Sequence, residues 1–142
     1  MGVDGDDVLD LLAAAAEAVR DAIAPLVVRY GARPDRSSDA ADEADEIAER
    51  AALGVLGNGV RVLSECAGWV GSGDVEVVLD PIDGTNNLVR GIPYSGPSLF
   101  AVDRGGRMTA VVLNAFTGRT FWARSGEGAY RDSERGQSIR PQ

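Results

Sequence analysis

Apolar residues in the first third of the chain recur at three- and four-residue steps, and from residue 60 onward they fall into short blocks or alternate. Val8, Leu11, Leu12, Ala15, Val19, Ile23 and Leu26 line one face of a helix that Asp6 or Asp7 can cap and that continues to about Tyr30. Pro25 lies inside that run, so a kink or break is expected in its last turns. Residues 31–38, with Pro34 and two serines, read as a loop. Ser38 or Asp39 then caps a second helix whose apolar positions are Ala44, Ile47, Ala48, Ala51 and Val55, and Gly57-Asn58-Gly59 stops it.

At Val60 the period changes. Residues 60–63 form a short strand that runs into Ser64-Glu65-Cys66, residues 68–73 are a glycine-rich connection, and 75–79 are an apolar strand. Residues 97–102 and 108–115 flank Arg104-Gly105-Gly106-Arg107 as a hairpin, and Thr117-Gly118 turns the chain into another strand at 120–123. The tail from Ser133 is polar, with only Ile139 available for packing. The pattern predicts an α+β fold: two helices packed on one face of an antiparallel sheet, in a single domain of 142 residues without repeats.

Composition narrows the chemistry. All 14 basic residues are arginine, and there is no histidine. Histidine-based triads, zinc-binding histidine motifs, the P-loop lysine and Schiff-base lysines are therefore excluded. The single cysteine, Cys66, can form neither an internal disulfide nor a cysteine-rich metal site, and it reads as a small buried side chain. Trp69 and Trp122 read as packing residues. Carboxylates, hydroxyls, arginine and backbone amides remain, so carboxylate-bound metal is the first chemistry to consider.

The net charge of -8 lies entirely within residues 1–50, where 13 acids face 5 arginines. Such acids also suit the solvated faces of two helices. An acidic chain is repelled by nucleic acid and by anionic membranes, so neither is expected as a partner. No apolar run is long enough to span a bilayer, and the acidic N-terminus is unlike a signal peptide. With one thiol and no export signal, the expected location is cytoplasmic.

The candidate chemistry lies in Asp80-Pro81-Ile82-Asp83-Gly84-Thr85-Asn86-Asn87. An apolar strand delivers Asp80 at its end, and Pro81 forces a turn. Asp83 follows close enough for both carboxylates to converge on hard cations, with the Ile82 carbonyl pointing into the same turn. Gly84 permits close backbone approach, and a short helix starting at Thr85 would leave N–H groups for an anion. Glu65 offers a further carboxylate at a second strand end. The plain alternative is that Asp83 is an N-cap, Asp80 a turn residue and Glu65 ordinary surface. The two-residue gap between Asp80 and Asp83 also separates this motif from the Asp-x-Asp-Gly-Thr of haloacid-dehalogenase-type phosphatases.

This motif, followed by Gly91-Ile92-Pro93, resembles the signature of the inositol monophosphatase family, whose superfamily includes fructose-1,6-bisphosphatases and nucleotide-bisphosphate phosphatases. Ser64-Glu65-Cys66 resembles that family's Gly-Glu-Glu metal motif, residues 39–45 its Asp-x-x-Thr-x-x-Asp segment, and residues 126–130 the strand that closes its first half. The resemblance implies the first half of a layered sugar-phosphatase fold, magnesium as cofactor and hydrolysis of an inositol or sugar phosphate monoester. Glu65, Asp80 and the Ile82 carbonyl would hold one magnesium, and Asp80 and Asp83 a second. The amides of Gly84 and Thr85 would receive the phosphate. Thr85, hydrogen-bonded to Asp45, would orient or deprotonate the attacking water.

Three departures stand out. Cys66 replaces a second Glu, Asp42 stands where the family often has Thr, and the Trp-Asp motif of the family's C-terminal half is absent, since Val70 follows Trp69 and Ala123 follows Trp122. A non-catalytic fragment or degenerate half-enzyme that binds metal or a partner is therefore the competing expectation. An apolar surface should be left exposed, for a homodimer or the missing C-terminal half to cover.

Overall fold

The first apolar stripe forms α1 (Gly5–Ala32) in the computed structural model, which describes residues 5–57 and 59–132. Helix α1 continues through Pro25 rather than breaking there, and Asp6 and Asp7 lie within its first turn rather than ahead of it. Val19, Ile23, Leu26 and Tyr30 are buried on both sides of the proline, so packing holds the helix across the missing donor. Helix α2 (Ser38–Leu56) is capped one residue earlier than expected, by Ser37, whose hydroxyl accepts the Ala40 N–H at 3.2 Å. Its buried face, Ala40, Ala44, Ala48, Ala52 and Leu56, is a four-residue repeat of small side chains that lets α2 pack closely on α1.

Among the described residues seven strands follow: β1 (Val60–Ser64), β2 (Gly68–Gly71), β3 (Val75–Asp83), β4 (Gly96–Val102), β5 (Met108–Leu113), β6 (Thr120–Arg124) and β7 (Gly128–Asp132). A short helix α3 (Thr85–Val89) lies between β3 and β4. The sheet order is β2-β1-β3-β4-β5-β6-β7. The fold is α+β as expected, with two corrections in the sheet.

Residues 68–71 form an edge strand rather than only a connection, and β1 pairs with β3 in parallel while every other pairing is antiparallel. The cause lies in the glycines. β2 folds back along the outer edge of β1, and the chain then crosses the start of β1 to enter β3. At that crossing a Cβ on Gly73 would stand 2.1 Å from the Gly59 carbonyl oxygen, so only glycine fits.

The core sits between α1, α2 and one sheet face, where Leu12, Ile23, Leu79, Leu99 and Val111 are almost fully buried. Trp122 is half-buried there and stacks on Tyr130, with ring centroids 4.4 Å apart. The opposite face exposes Val78, Phe100, Met108, Val112 and Phe121. Trp69 is also half-exposed rather than packed in the core, with the Arg61 guanidinium 3.9 Å from its ring centroid. The predicted tail with Ile139 lies outside the described residues, as does Asn58.

Candidate active site

The parallel pairing brings the ends of β1 and β3 side by side. Ser64 lies opposite Leu79, and the Glu65 N–H donates to the Leu79 carbonyl at 3.1 Å. Glu65 and Asp80 are therefore the next residues out on adjacent strands, leaving the sheet at the same end. Between β3 and β4 the register then slips: Asp80 pairs with Ser98 and Asp83 with Gly96, so three steps on β3 oppose two on β4. This is a β-bulge. Asp80 and Asp83, which an unbroken strand would point to opposite faces, now stand opposite residues two apart and share a face. Pro81 sits in the bulge, where its missing N–H costs no ladder bond.

Gly84 ends β3 with φ 86 and caps α3. A Cβ there would lie 3.1 Å from the Tyr94 carbonyl oxygen and 3.2 Å from the Ser95 Cβ, so the left-handed turn is both strained and crowded for any other residue. The turn aims Thr85 at α2. Its hydroxyl donates to Asp45 Oδ1 at 2.7 Å and also lies 3.0 Å from the Ile82 carbonyl oxygen. A hydroxyl carries one hydrogen. Whenever that hydrogen is given to Asp45, the Ile82 carbonyl is left with its lone pairs.

Glu49, which the sequence analysis did not single out, joins the group. Its Oε1 accepts the buried Ser64 hydroxyl at 2.6 Å. Asp45 and Glu49 are four residues apart on α2, so they share a helix face that the spacing alone could have revealed. Cys66 is exposed in the turn after β1, correcting the expectation of a buried side chain, because the hairpin to β2 carries it past the end of the core.

These carboxylates act on one another. The Asp80 carboxyl is pushed up to about 7, first by burial, then by a hydrogen bond with Glu65 and by the charges of Glu65, Asp83 and Asp45. Asp45 is also raised, mainly by burial; the Thr85 hydrogen bond opposes this, while Glu65, Asp42 and Glu49 add to it. The Cys66 thiol, though exposed, is pushed up to about 11, first by partial desolvation and then by the charges of Glu49, Asp45, Glu65 and Asp80, so it stays protonated at neutral pH. Among the described residues, no arginine pairs with Asp45, Glu49, Glu65, Asp80 or Asp83.

Among the described residues, no three carboxylate or cysteine side chains are gathered closely enough to bind a metal ion as they stand. The donor chemistry nonetheless fits a hard divalent cation: several carboxylates and a main-chain carbonyl, with no imidazole and no thiolate. Protonation of Asp80 relieves the repulsion among these carboxylates, and a cation would serve the same purpose. A cleft of about 510 Å3 adjoins Asp83 and Gly84 and extends past Asn87 and Ser95 to Asn114 and Phe121.

Comparison with known proteins identifies the fold and the family. The chain is 37% identical over 140 residues to the fructose-1,6-bisphosphatase/inositol-1-monophosphatase of Archaeoglobus fulgidus, covering 94% of this chain and 55% of that protein. It is 34% identical over 124 residues to the histidinol-phosphatase of Streptomyces coelicolor, covering 82% of this chain and 46% of that protein. The fold matches the crystal structure of the MJ0109 gene product, an inositol monophosphatase–fructose 1,6-bisphosphatase, with a TM-score of 0.71 at 25% identity, over 90% of this chain and 52% of that one. The chain thus spans about half the length of the relatives it matches. The model of the inositol monophosphatase family matches residues 7–142, and the chain belongs to that family.

Proposed function

We propose that this chain carries the metal- and phosphate-binding part of a magnesium-dependent phosphatase that hydrolyses a phosphate monoester of inositol or a sugar. Glu65, Asp80 and the Ile82 carbonyl would hold one magnesium, and Asp80 and Asp83 a second. The chemistry such ions supply is acidification of a water and neutralisation of phosphate charge. The chain's own residues do the positioning. The Gly84 and Thr85 amides receive phosphate oxygens at the turn. Thr85, its hydrogen committed to Asp45, presents lone pairs that orient the attacking water. Asp45, raised by burial, is suited to take up a proton through that hydroxyl.

The observation that carries this reading is the convergence on one end of the sheet of Glu65 and Asp80, from two parallel strands, with the Thr85–Asp45 hydrogen bond from α3 and α2. Family membership supports phosphatase chemistry. Among the described residues no helix is long and apolar enough to cross a membrane, and a cytoplasmic location is part of this proposal.

A second reading, a half-enzyme that binds metal or a partner without turnover, is favoured by the lack, among the described residues, of three metal-binding side chains already gathered together. Here the exposed sheet face is the surface that a second copy or a C-terminal half would cover. Phosphate release from inositol monophosphate, measured with magnesium and again with EDTA, separates the two readings. EDTA-sensitive release supports the first; magnesium binding without release supports the second.

A further inference from the structure

The outer face of the sheet, the one turned away from the helices, is sorted by side-chain size. Every second residue of each strand lies on this face, and the strand pairing sets these residues in rows across the sheet. One row reads Leu63, Val78, Phe100, Ala110, Ala123 and Ala129, taken in order from β1, β3, β4, β5, β6 and β7. Its first half is a ridge of three large side chains, with Val78 49% and Phe100 38% exposed. Its second half is a hollow of three alanines, which line a groove of about 420 Å3 together with Val112 and Phe121. The adjoining row runs Asp80, Ser98, Val112, Phe121 and Arg131, acidic at the β3 end and basic at the β7 end. Arg131 also lines the groove; its Nε is buried and among the described residues has no hydrogen-bond partner.

Ridge and hollow complement each other but lie side by side in one chain, so they can meet only between two copies. Sheets packed face to face keep their strands within about 30° of alignment. A twofold axis along the strands, midway between β4 and β5, sets β4 over β5, β3 over β6 and β1 over β7 of the other copy. Phe100 then falls on Ala110, Val78 on Ala123 and Leu63 on Ala129, and the symmetry makes each contact twice. The same operation carries Arg131 over the end of β1 in the other copy, where Glu65 leaves the sheet beside Asp80. Among the described residues neither carboxylate pairs with an arginine of its own chain. We propose that the outer sheet face is a homodimer interface in which the ridge of each copy packs into the hollow of the other and each copy lends Arg131 to the other's carboxylates. Two complementary shapes and two opposite charges on one surface select a second copy as its occupant. The proposal does not depend on the phosphatase reading.

The test is an exchange of sizes. Sedimentation equilibrium of the 142-residue chain should show a monomer–dimer equilibrium whose mass levels off at two chains. Ala110→Phe adds apolar area but fills the hollow, so it is expected to weaken dimerisation by about tenfold, the scale of an overpacked contact. Phe100→Ala removes the ridge and should weaken it by about as much. The double variant exchanges ridge and hollow and should return to within about threefold of the wild type, because the two changes are coupled across the interface. Val78→Ala with Ala123→Val repeats the exchange on β3 and β6, which are not neighbours in the sheet, so rescue there comes only from the other copy. All four positions lie on the outer face, and circular dichroism confirms that each variant is folded. Arg131→Glu should weaken the dimer by about tenfold through repulsion from Glu65. A concentration-independent monomer would overturn the proposal, as would masses that climb past two chains, tighter association of Ala110→Phe than of the wild type, or double variants no better than their weaker single.

Discussion

Thr85 and Asp45, 40 residues apart in sequence, meet through a 2.7 Å hydrogen bond in which the hydroxyl donates to the carboxylate. It ties the turn after β3 to the middle of α2 and is the one influence that lowers the Asp45 pKa against burial and three neighbouring acids. Thr85→Val leaves that half-buried carboxylate without its donor. Thermal unfolding should show a loss of about 1–3 kcal/mol, and any phosphate release by the protein should fall at least about 100-fold, the usual scale of lost acid–base assistance. Thr85→Ser, which keeps the hydroxyl, should restore most of both.

Asp80 predicts the pH dependence of the metal-free chain. Its carboxyl is raised to about 7 in the folded state from an ordinary 3.8, so between those values the folded state binds more protons than the unfolded state. The stability from this group is fully present below about pH 4 and is lost as pH rises through about 7. Melting temperatures measured from pH 4 to 8 for the wild type and Asp80→Asn isolate the effect. The variant should lack this part of the decline and should be the more stable of the two above pH 7.

Two glycines are expected to resist substitution for different reasons. Gly84→Ala places a Cβ in a left-handed conformation and against Tyr94, a cost of about 1–2 kcal/mol or more from backbone strain alone. Gly73→Ala drives a Cβ into the Gly59 carbonyl and should cost more, because it pries apart the crossing that sets β1 and β3 in parallel. Chemical denaturation of both variants checks the order.

The exposed sheet face should drive association. Val78, Phe100 and Val112 lie on β3, β4 and β5 and point away from the helices. Sedimentation velocity on the 142-residue chain should show a weight-average mass that rises with concentration. Phe100→Ser and Val112→Lys, both at exposed positions, should reduce it without loss of helix content. A concentration-independent monomer would show that the face needs no cover.

Much of the fold was legible in the sequence because the helical stripes and strand blocks are long and regular. The stripe from Val8 to Leu26 and the alternation along β4 and β5 each match a single period. What escaped was set by contacts between distant segments. Packing on both sides of Pro25 overrides its local preference to break the helix. The four-residue edge strand β2 is half glycine, and its register depends on β1 rather than on its own side chains. The parallel β1–β3 pair follows from a backbone crossing that no periodicity reports. In the site, spacing brought Asp80 and Asp83 to notice, but their shared face depends on a bulge against β4. The four-residue spacing of Asp45 and Glu49 places both on one helix face, but the Glu49 bond to Ser64 forms only where α2 lies over the end of β1.

The central claim is that Glu65, Asp80 and Asp83 form a cation site at the paired ends of β1 and β3. Isothermal calorimetry of the 142-residue chain with magnesium at pH 8, where Asp80 has lost its proton, tests it most directly. The account predicts weak but saturable binding in the wild type, reduced about tenfold or more in Asp80→Asn, the scale on which a single lost charge-assisted contact acts. Little or no phosphate release is expected from the same sample. No saturable heat in the wild type, or equal magnesium affinity in Asp80→Asn, would contradict it.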